Sequence, residues 1–267
     1  MTTFNLLLIA LIQGITEFLP VSSSGHLILL PSLSGLNDQG QIIDVAAHVG
    51  TLAAVVLYFW SDVRLALGGT LRLLRGKIDT KGAFLALCLI IATVPVIVVG
   101  LILKVTGLSD AMRGIAVIGW AMIIFGVVLY WADQNGPTEK TAAGWTLKDA
   151  VKMGMWQAVA LIPGTSRSGI TITAGRMLGY TRTDAAKLSM LMSIPTIIAS
   201  AALLGLDVIN AGDTGEMRDI GIVVGMSFAA ALMALTLMMR LLQSVSFTPY
   251  VIYRIALGVA LLWIAYA

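Results

Sequence analysis

Glu17 lies four residues after Gln13, and the stretch PVSSSGHL (20–27) that follows carries Ser22, Ser23, Ser24 and His26 between runs of apolar side chains. A second polar stretch, PGTSRSGIT (163–171), sets Arg167 among Thr165, Ser166, Ser168 and Thr171, with Gly164 and Gly169 permitting close backbone approach. A guanidinium is always charged and offers planar paired donors that match phosphate or carboxylate. If a helix begins near Ser168, its free N–H groups strengthen the preference for an anion. Gln13 and Glu17, at i, i+4, share one helix face. Glu17 is suited to binding a divalent cation through oxygen or to relaying a proton, whereas neutral Gln13 cannot act as a base. His26 fits a nucleophile, a general acid/base or an orienter of Ser23, and a phosphorylated Ser or His is reasonable chemistry. Against these stand plainer readings: Arg167 as an ion-pair partner of Glu17 that only ties two segments together, and His26 as a hydrogen-bonded structural residue.

These residues must be positioned by elements of a membrane protein. Of 267 residues, 58% are hydrophobic and 12% charged, and the mean hydropathy is +0.93, which excludes an ordinary soluble domain. The apolar runs are helical in length and lack the alternation of a lipid-facing barrel, so the class is all-α, a polytopic membrane protein forming a single integral membrane domain over 1–267. Six spans are expected, at about 41–60, 83–103, 114–131, 187–209, 220–239 and 250–266. Residues 4–31 and 150–180 are each too short for two crossings and are broken centrally by a polar stretch, so both read as re-entrant helix-loop-helix hairpins. The breaks FLPVSSSGH (18–26) and LIPGTSRSG (161–169) look alike. A hairpin plus three spans therefore occurs twice, about 1–131 and 147–267, and an odd number of spans makes the repeat inverted, with the two loops meeting near the midplane.

Lys and Arg counts set the expected orientation. With the loop 61–82 cytoplasmic, that side holds Arg64, Arg72, Arg75, Lys77, Lys81, Lys140, Lys148, Arg176, Arg182, Lys187 and Arg240, against Lys104, Arg113 and Arg218 opposite, where the loop 207–219 is acidic. Both termini then lie outside, which in a bacterium is the periplasm. No Lys or Arg precedes Arg64, so the N-terminal run is expected to stay rather than to be cleaved as a signal peptide. Asp44 and His48, also i, i+4, either support the polar site from behind or hydrogen-bond between helices. The remaining charges sit in loops and read as solvated or in contact with lipid headgroups. Cys88 is a packing residue, and nothing in the charge pattern suggests nucleic acid. Glycine-bearing spans such as GWAMIIFG (119–126) suit helix contacts within the chain or across a homodimer.

Two motifs carry a resemblance. QGITEFLPVSSSGH (13–26) and PGTSRSGIT (163–171), together with DVAAHVGTLAAV (44–55) and GRMLGYTRTDAAKLSMLMSIP (175–195), resemble the bacterial undecaprenyl-diphosphate phosphatases, the bacitracin-resistance family, over nearly the whole chain. The resemblance implies hydrolysis of the terminal phosphate of undecaprenyl diphosphate in the bacterial inner membrane, with the lipid carrier recycled for peptidoglycan and other cell-wall polymers. It implies catalytic roles for Glu17, Ser23, His26 and Arg167. Contacts to substrate fall to Gln13, Ser22, Ser24, Gly164, Thr165, Ser166, Ser168 and Thr171. It further implies a divalent cation, Mg²⁺ or Ca²⁺, with Glu17 as its ligand, and an active site open to the periplasm. That family admits Glu or Gln at the position of Gln13, so this chain has no carboxylate pair there.

Two other functions meet the same features. An inverted repeat with broken helices is also the architecture of a secondary transporter or lipid flippase, but transport alone needs no nucleophile beside a phosphate-binding Arg. A phosphatase using PSGH, then SR followed by a second His, is excluded, because the two histidines are His26 and His48 and both precede Arg167.

Overall fold

The computed structural model describes residues 2–27, 40–211 and 217–267. The end of the first expected hairpin, 28–31, and two acids of the 207–219 loop, Asp213 and Glu216, lie outside the described residues.

Helix α1 (Thr3–Thr16) starts where the Thr2 hydroxyl accepts from Asn5 N, and α6 (Leu147–Val159) starts where Thr146 accepts from Asp149 N. Such caps satisfy one of the orphan N–H groups of a helix start. Each of these helices is followed by a break and a second helical piece, helical from Ser23 in the first case and α7 (Arg167–Met177) in the second. The longer helices are α2 (Gln41–Tyr58), α3 (Trp60–Leu73), α4 (Lys81–Thr106), α5 (Ile115–Asn135), α8 (Arg182–Ala211), α9 (Met217–Leu241) and α10 (Thr248–Tyr266). By length and composition α4, α5, α9, α10 and residues 182–204 of α8 can each cross a membrane, and α2 with α3 counts as a sixth span if that bent pair is one. The chain is a multi-pass all-α membrane protein, with no strand among the described residues.

One expected loop is in part a helix. Residues 60–73 form α3, which turns 94° from α2 and leaves Leu65, Leu67 and Leu71 exposed beside Arg64 and Arg72. A short helix of this composition suits the membrane surface, apolar residues toward the acyl chains and arginines toward headgroups. The charges at the same end are also less solvated than expected. Arg176 is 1% exposed, and its Nε donates to the equally buried Asp133 at 3.2 Å, while Arg182 Nε donates to the same carboxylate at 2.8 Å. Asp133 in turn accepts from Phe247 N at 3.1 Å, so one buried network joins the ends of α5 and α7 to the starts of α8 and α10.

Packing interleaves the two halves. Helix α1 lies on α9, where a Cβ on Gly14 would come within 2.8 Å of the Ser227 carbonyl oxygen, and α6 lies on α4, where a Cβ on Gly154 would come within 2.8 Å of Ala92 Cα. Thus each half's first helix packs on a long helix of the other half. Between α5 and α10 the backbones touch at Gly119 and Gly258, a Cβ on the latter falling 2.9 Å from Gly119 O. The glycines of 119–126 are therefore used within the chain, Gly126 meeting Arg254. This is the small-residue approach that lets helices pack where lipid offers no hydrophobic drive.

Candidate active site

The two breaks share a backbone feature at Ser22 and Ser166, one register step away from the alignment that matches their prolines. Ser22 and Ser166, 144 positions apart, each precede a helix start, and they are the non-glycine residues with positive φ among the described residues, at 73° and 69°. A non-glycine residue in that region costs on the order of 1–3 kcal/mol, and such strain is concentrated at functional sites. Each also meets the serine two residues on: Ser22 Oγ lies 3.0 Å from Ser24 Oγ, and Ser166 Oγ 3.1 Å from Ser168 Oγ. In this register Ser23 of one break stands where Arg167 stands in the other. Gln13 and Gln157, both buried, hold the same separation.

The breaks touch each other directly. Gly164 N donates to Ser24 Oγ at 3.3 Å, and Ser168 Oγ donates to the Leu19 carbonyl at 2.9 Å. Gly164 has φ +90°, and a Cβ there would stand 2.8 Å from Ile118 Cα, so no larger residue fits between this turn and α5. Arg167 Nη2 donates to Glu17 Oε1 at 2.9 Å, with the side chains 15% and 8% exposed. Glu17 Oε2 accepts from Gln13 Nε2 at 2.7 Å and from Ser23 Oγ at 3.3 Å. Both carboxylate oxygens are thereby held, as a buried charge requires. Of the N–H groups of Arg167, only Nη2 has a hydrogen-bond partner among the described residues, leaving the others for an anion.

Between the breaks lies a cavity of about 190 Å³, lined by Glu17, Ser22, Ser23, Ser24, His48, Ala160, Ser166 and Arg167. His48 thus joins the site. Its Nδ1–H donates to the Asp44 carbonyl at 2.7 Å, which leaves Nε2 as acceptor from Gln13 Nε2 at 3.3 Å. One amide therefore ties the imidazole to the Glu17 carboxylate. The start of α7, capped by Ser166 Oγ on Gly169 N at 3.1 Å, adds unsatisfied N–H groups beside Arg167.

The other residues singled out in the sequence are placed around this cavity rather than on it. His26 Nδ1–H donates to the Ser22 carbonyl at 2.7 Å and Nε2 accepts from Tyr253 OH at 2.6 Å, the two rings nearly parallel. His26 thus braces the strained Ser22 turn and faces a tyrosine that is 48% exposed. Thr171 turns to Ser189 Oγ at 2.6 Å and to the Arg167 carbonyl at 2.8 Å, inside the helix packing. Gly164 and Thr165 offer their carbonyls to Arg254, at 3.1 and 2.8 Å.

Arg254 was not anticipated. It is fully buried, and besides those two carbonyls it donates to Pro20 O at 3.4 Å and Met122 O at 3.0 Å, so one side chain binds both breaks and α5. The signal for it was present: a charged residue inside the apolar span 250–266. Tyr253, its neighbour, carried no such signal.

The chain matches, over residues 6–260, the family described as bacitracin resistance protein BacA. It is 68% identical to a protein of Dinoroseobacter shibae named undecaprenyl-diphosphatase, across 267 residues and the full length of both chains. A Jannaschia protein of the same name is also 68% identical, again across the full length of both. A Rhodospirillum rubrum protein named undecaprenyl-diphosphatase 1 is 43% identical over 272 residues, covering 100% of this chain and 96% of that one.

Proposed function

The chain belongs to the bacitracin resistance protein BacA family, and on that premise we propose that it is an undecaprenyl-diphosphatase that releases the terminal phosphate of the lipid diphosphate and so regenerates the monophosphate carrier for cell-wall polymers. The observation that carries the reading is the small polar cavity itself. In a largely apolar bundle it gathers hydroxyls, one carboxylate and a guanidinium whose Nη2 alone has a hydrogen-bond partner among the described residues.

In this reading Arg167 binds the terminal phosphoryl group and stabilises the charge on its oxygens during transfer. Ser23 Oγ attacks phosphorus and gives its proton to Glu17 Oε2, with which it is already hydrogen-bonded. The bond from that phosphorus to the bridging oxygen breaks, and undecaprenyl phosphate leaves with the proton from Glu17. Water then attacks the phosphoserine, with Glu17 again as base. The Ser–O–P bond breaks, Ser23 recovers its proton and inorganic phosphate departs. His26, held between Ser22 O and Tyr253, positions the turn that presents Ser23. Gln13 and His48 hold Glu17 at the angle this proton transfer needs.

A divalent cation, Mg²⁺ or Ca²⁺, fits here only as a companion of the substrate. No group of three or more His, Cys, Asp or Glu able to hold a metal occurs among the described residues, and Glu17 is the one carboxylate on the cavity. Hard-cation sites with one carboxylate take most of their oxygens from phosphate and water. Bound there, such an ion would neutralise diphosphate charge. We further place the basic end of the bundle in the cytoplasm by the Lys and Arg bias, read the halves as inverted copies, and so open the cavity to the periplasm.

The direct test is phosphate release from undecaprenyl diphosphate by the purified protein in detergent, with and without chelator. Release is expected, and its restoration by Mg²⁺ or Ca²⁺ after chelation is the expected sign of the companion ion. Folded protein that releases none in any condition would remove the enzymatic reading.

A prediction follows for the imidazole. His48→Leu should lower kcat about tenfold, the effect of losing one hydrogen bond that orients a catalytic carboxylate. His48→Gln, whose amide oxygen can accept from Gln13, should recover most of it. Equal kcat values for the Leu and Gln variants in steady-state assays would remove His48 from the site's support.

A further inference from the structure

The amphipathic helix α3 carries a basic row beside its apolar one. Arg64, Gly68 and Arg72 follow one another at helical spacing, and this row faces the start of α4 across a cavity of about 450 Å³ that Thr80, Lys81 and Gly82 also line. The two helices touch at its wall, where a Cβ on Gly69 would come within 2.1 Å of the Gly82 carbonyl oxygen. A Cβ on Gly68, by contrast, would meet nothing within 4 Å. The absent side chain leaves a gap between two arginines that stand about 12 Å apart along the helix axis. Charge then decides what fits there. No Asp or Glu among the described residues lines this cavity. Arg72 shares its charge with Asp79, which accepts from its Nε at 2.7 Å, but Arg64 and Lys81 have no side-chain hydrogen-bond or ion-pair partner among the described residues. Helix α4 also starts here, so its unsatisfied N–H groups add to the preference for an anion. Next to the basic row, Leu67, Leu71 and Leu74 form an exposed apolar stripe.

We propose that this cavity binds the headgroup of an anionic phospholipid, its phosphate between Arg64, Arg72 and Lys81 and its acyl chains along Leu67, Leu71 and Leu74. A soluble phosphate ester would use the cations alone and leave that apolar stripe uncovered. A lipid covers both, because α3 turns 94° from α2 and so lies across the direction of that span, where headgroups and acyl chains meet. In the orientation proposed above the site belongs to the inner leaflet. It shares no residue with the polar cavity that holds Glu17 and Arg167, so it stands apart from the diphosphatase reading.

The test is lipid binding to the purified protein in detergent, read by native mass spectrometry with phosphatidylglycerol and with phosphatidylcholine, whose choline cancels the phosphate charge. The wild type should bind phosphatidylglycerol at least about tenfold more tightly. Arg64→Gln combined with Lys81→Gln should erase most of that preference. Arg75→Gln combined with Lys77→Gln removes the same charge outside the cavity and should leave the preference unchanged. Gly68→Trp alters no charge and enters open space, so it should erase the preference by filling the gap. A wild type without the preference would overturn the site, and so would equal losses in the two double variants, which would mean diffuse attraction to a basic surface. A Gly68→Trp protein with the wild-type preference would overturn it too. Glycerol 3-phosphate supplies a headgroup without chains and should bind at least about tenfold more weakly than phosphatidylglycerol. Equal affinity for the two would make this a site for a soluble phosphate ester and overturn the lipid assignment.

Discussion

Arg167→Ala should lower phosphate release from undecaprenyl diphosphate by about 10²–10³-fold, the loss expected when one preorganised stabiliser of transition-state charge is removed. The variant carries a second penalty. Glu17, 8% exposed, loses its charge partner, and a carboxylate left unpaired at that depth destabilises the fold as well. Arg167→Lys separates the two effects. Lysine keeps the positive charge and the ion pair, so the melting temperature should stay close to that of the wild type. It has no planar fork, however, and once its ammonium faces Glu17 it has little left for a phosphoryl group. Turnover should therefore still fall by at least about tenfold. Phosphate release measured beside thermal melting decides between catalysis and mere tethering: an Arg167→Lys protein with wild-type melting and wild-type turnover would leave the guanidinium as a tie between hairpins and nothing more.

What could be seen beforehand follows from the energetics of the bilayer. Apolar runs about 20 residues long mark spans because lipid forces every backbone group to find a partner inside its own helix. The same rule makes a polar interruption such as residues 20–27 or 163–171 conspicuous, which draws attention to Ser23 and Arg167, and Glu17 stands out as an ionisable group at membrane depth; the structure brings all three to one cavity. Less visible was whatever depends on how separate segments face one another. The prolines of the two breaks invite an alignment one residue away from the register set by the strained serines, because a residue's φ is not written in its identity. Arg176 read as a solvated loop charge, although it is buried against Asp133, a residue 43 positions away. Residues 61–82 read as a loop, yet Trp60–Leu73 form a helix, since an amphipathic helix needs only one apolar face. His48 could not be assigned to a cavity or to a helix contact without knowing that Gln13 points at it.

Arg254 extends this logic to the centre of the molecule, where removal should cost both stability and activity. Its partners among the described residues are carbonyl oxygens of Pro20, Met122, Gly164 and Thr165, with no carboxylate among them. Breaking a helix inside a membrane frees backbone carbonyls that water cannot reach, and each one left unpaired costs several kcal/mol. A guanidinium, with five donors in a rigid fork, can serve several such carbonyls at once, and here it does so for both breaks together. Arg254→Met keeps much of the volume and removes the donors. The net loss should be about 2–4 kcal/mol, less than the sum over four bonds because the cost of burying the charge disappears with it. Activity should fall further than that loss of folded protein explains. The Arg254 bonds fix the spacing of the turn before Ser22 and the turn before Ser166, and a shift of about 1 Å between reacting groups can cost on the order of 10²-fold. Lysine is not a substitute, since one ammonium cannot span two turns and α5. The decisive comparison is hydrogen exchange at residues 18–25 and 161–169 beside turnover, in wild type and Arg254→Met. Faster exchange at both turns together with lost turnover is the expected result; wild-type kcat with both turns exchanging faster would mean that the reaction does not depend on their fixed spacing.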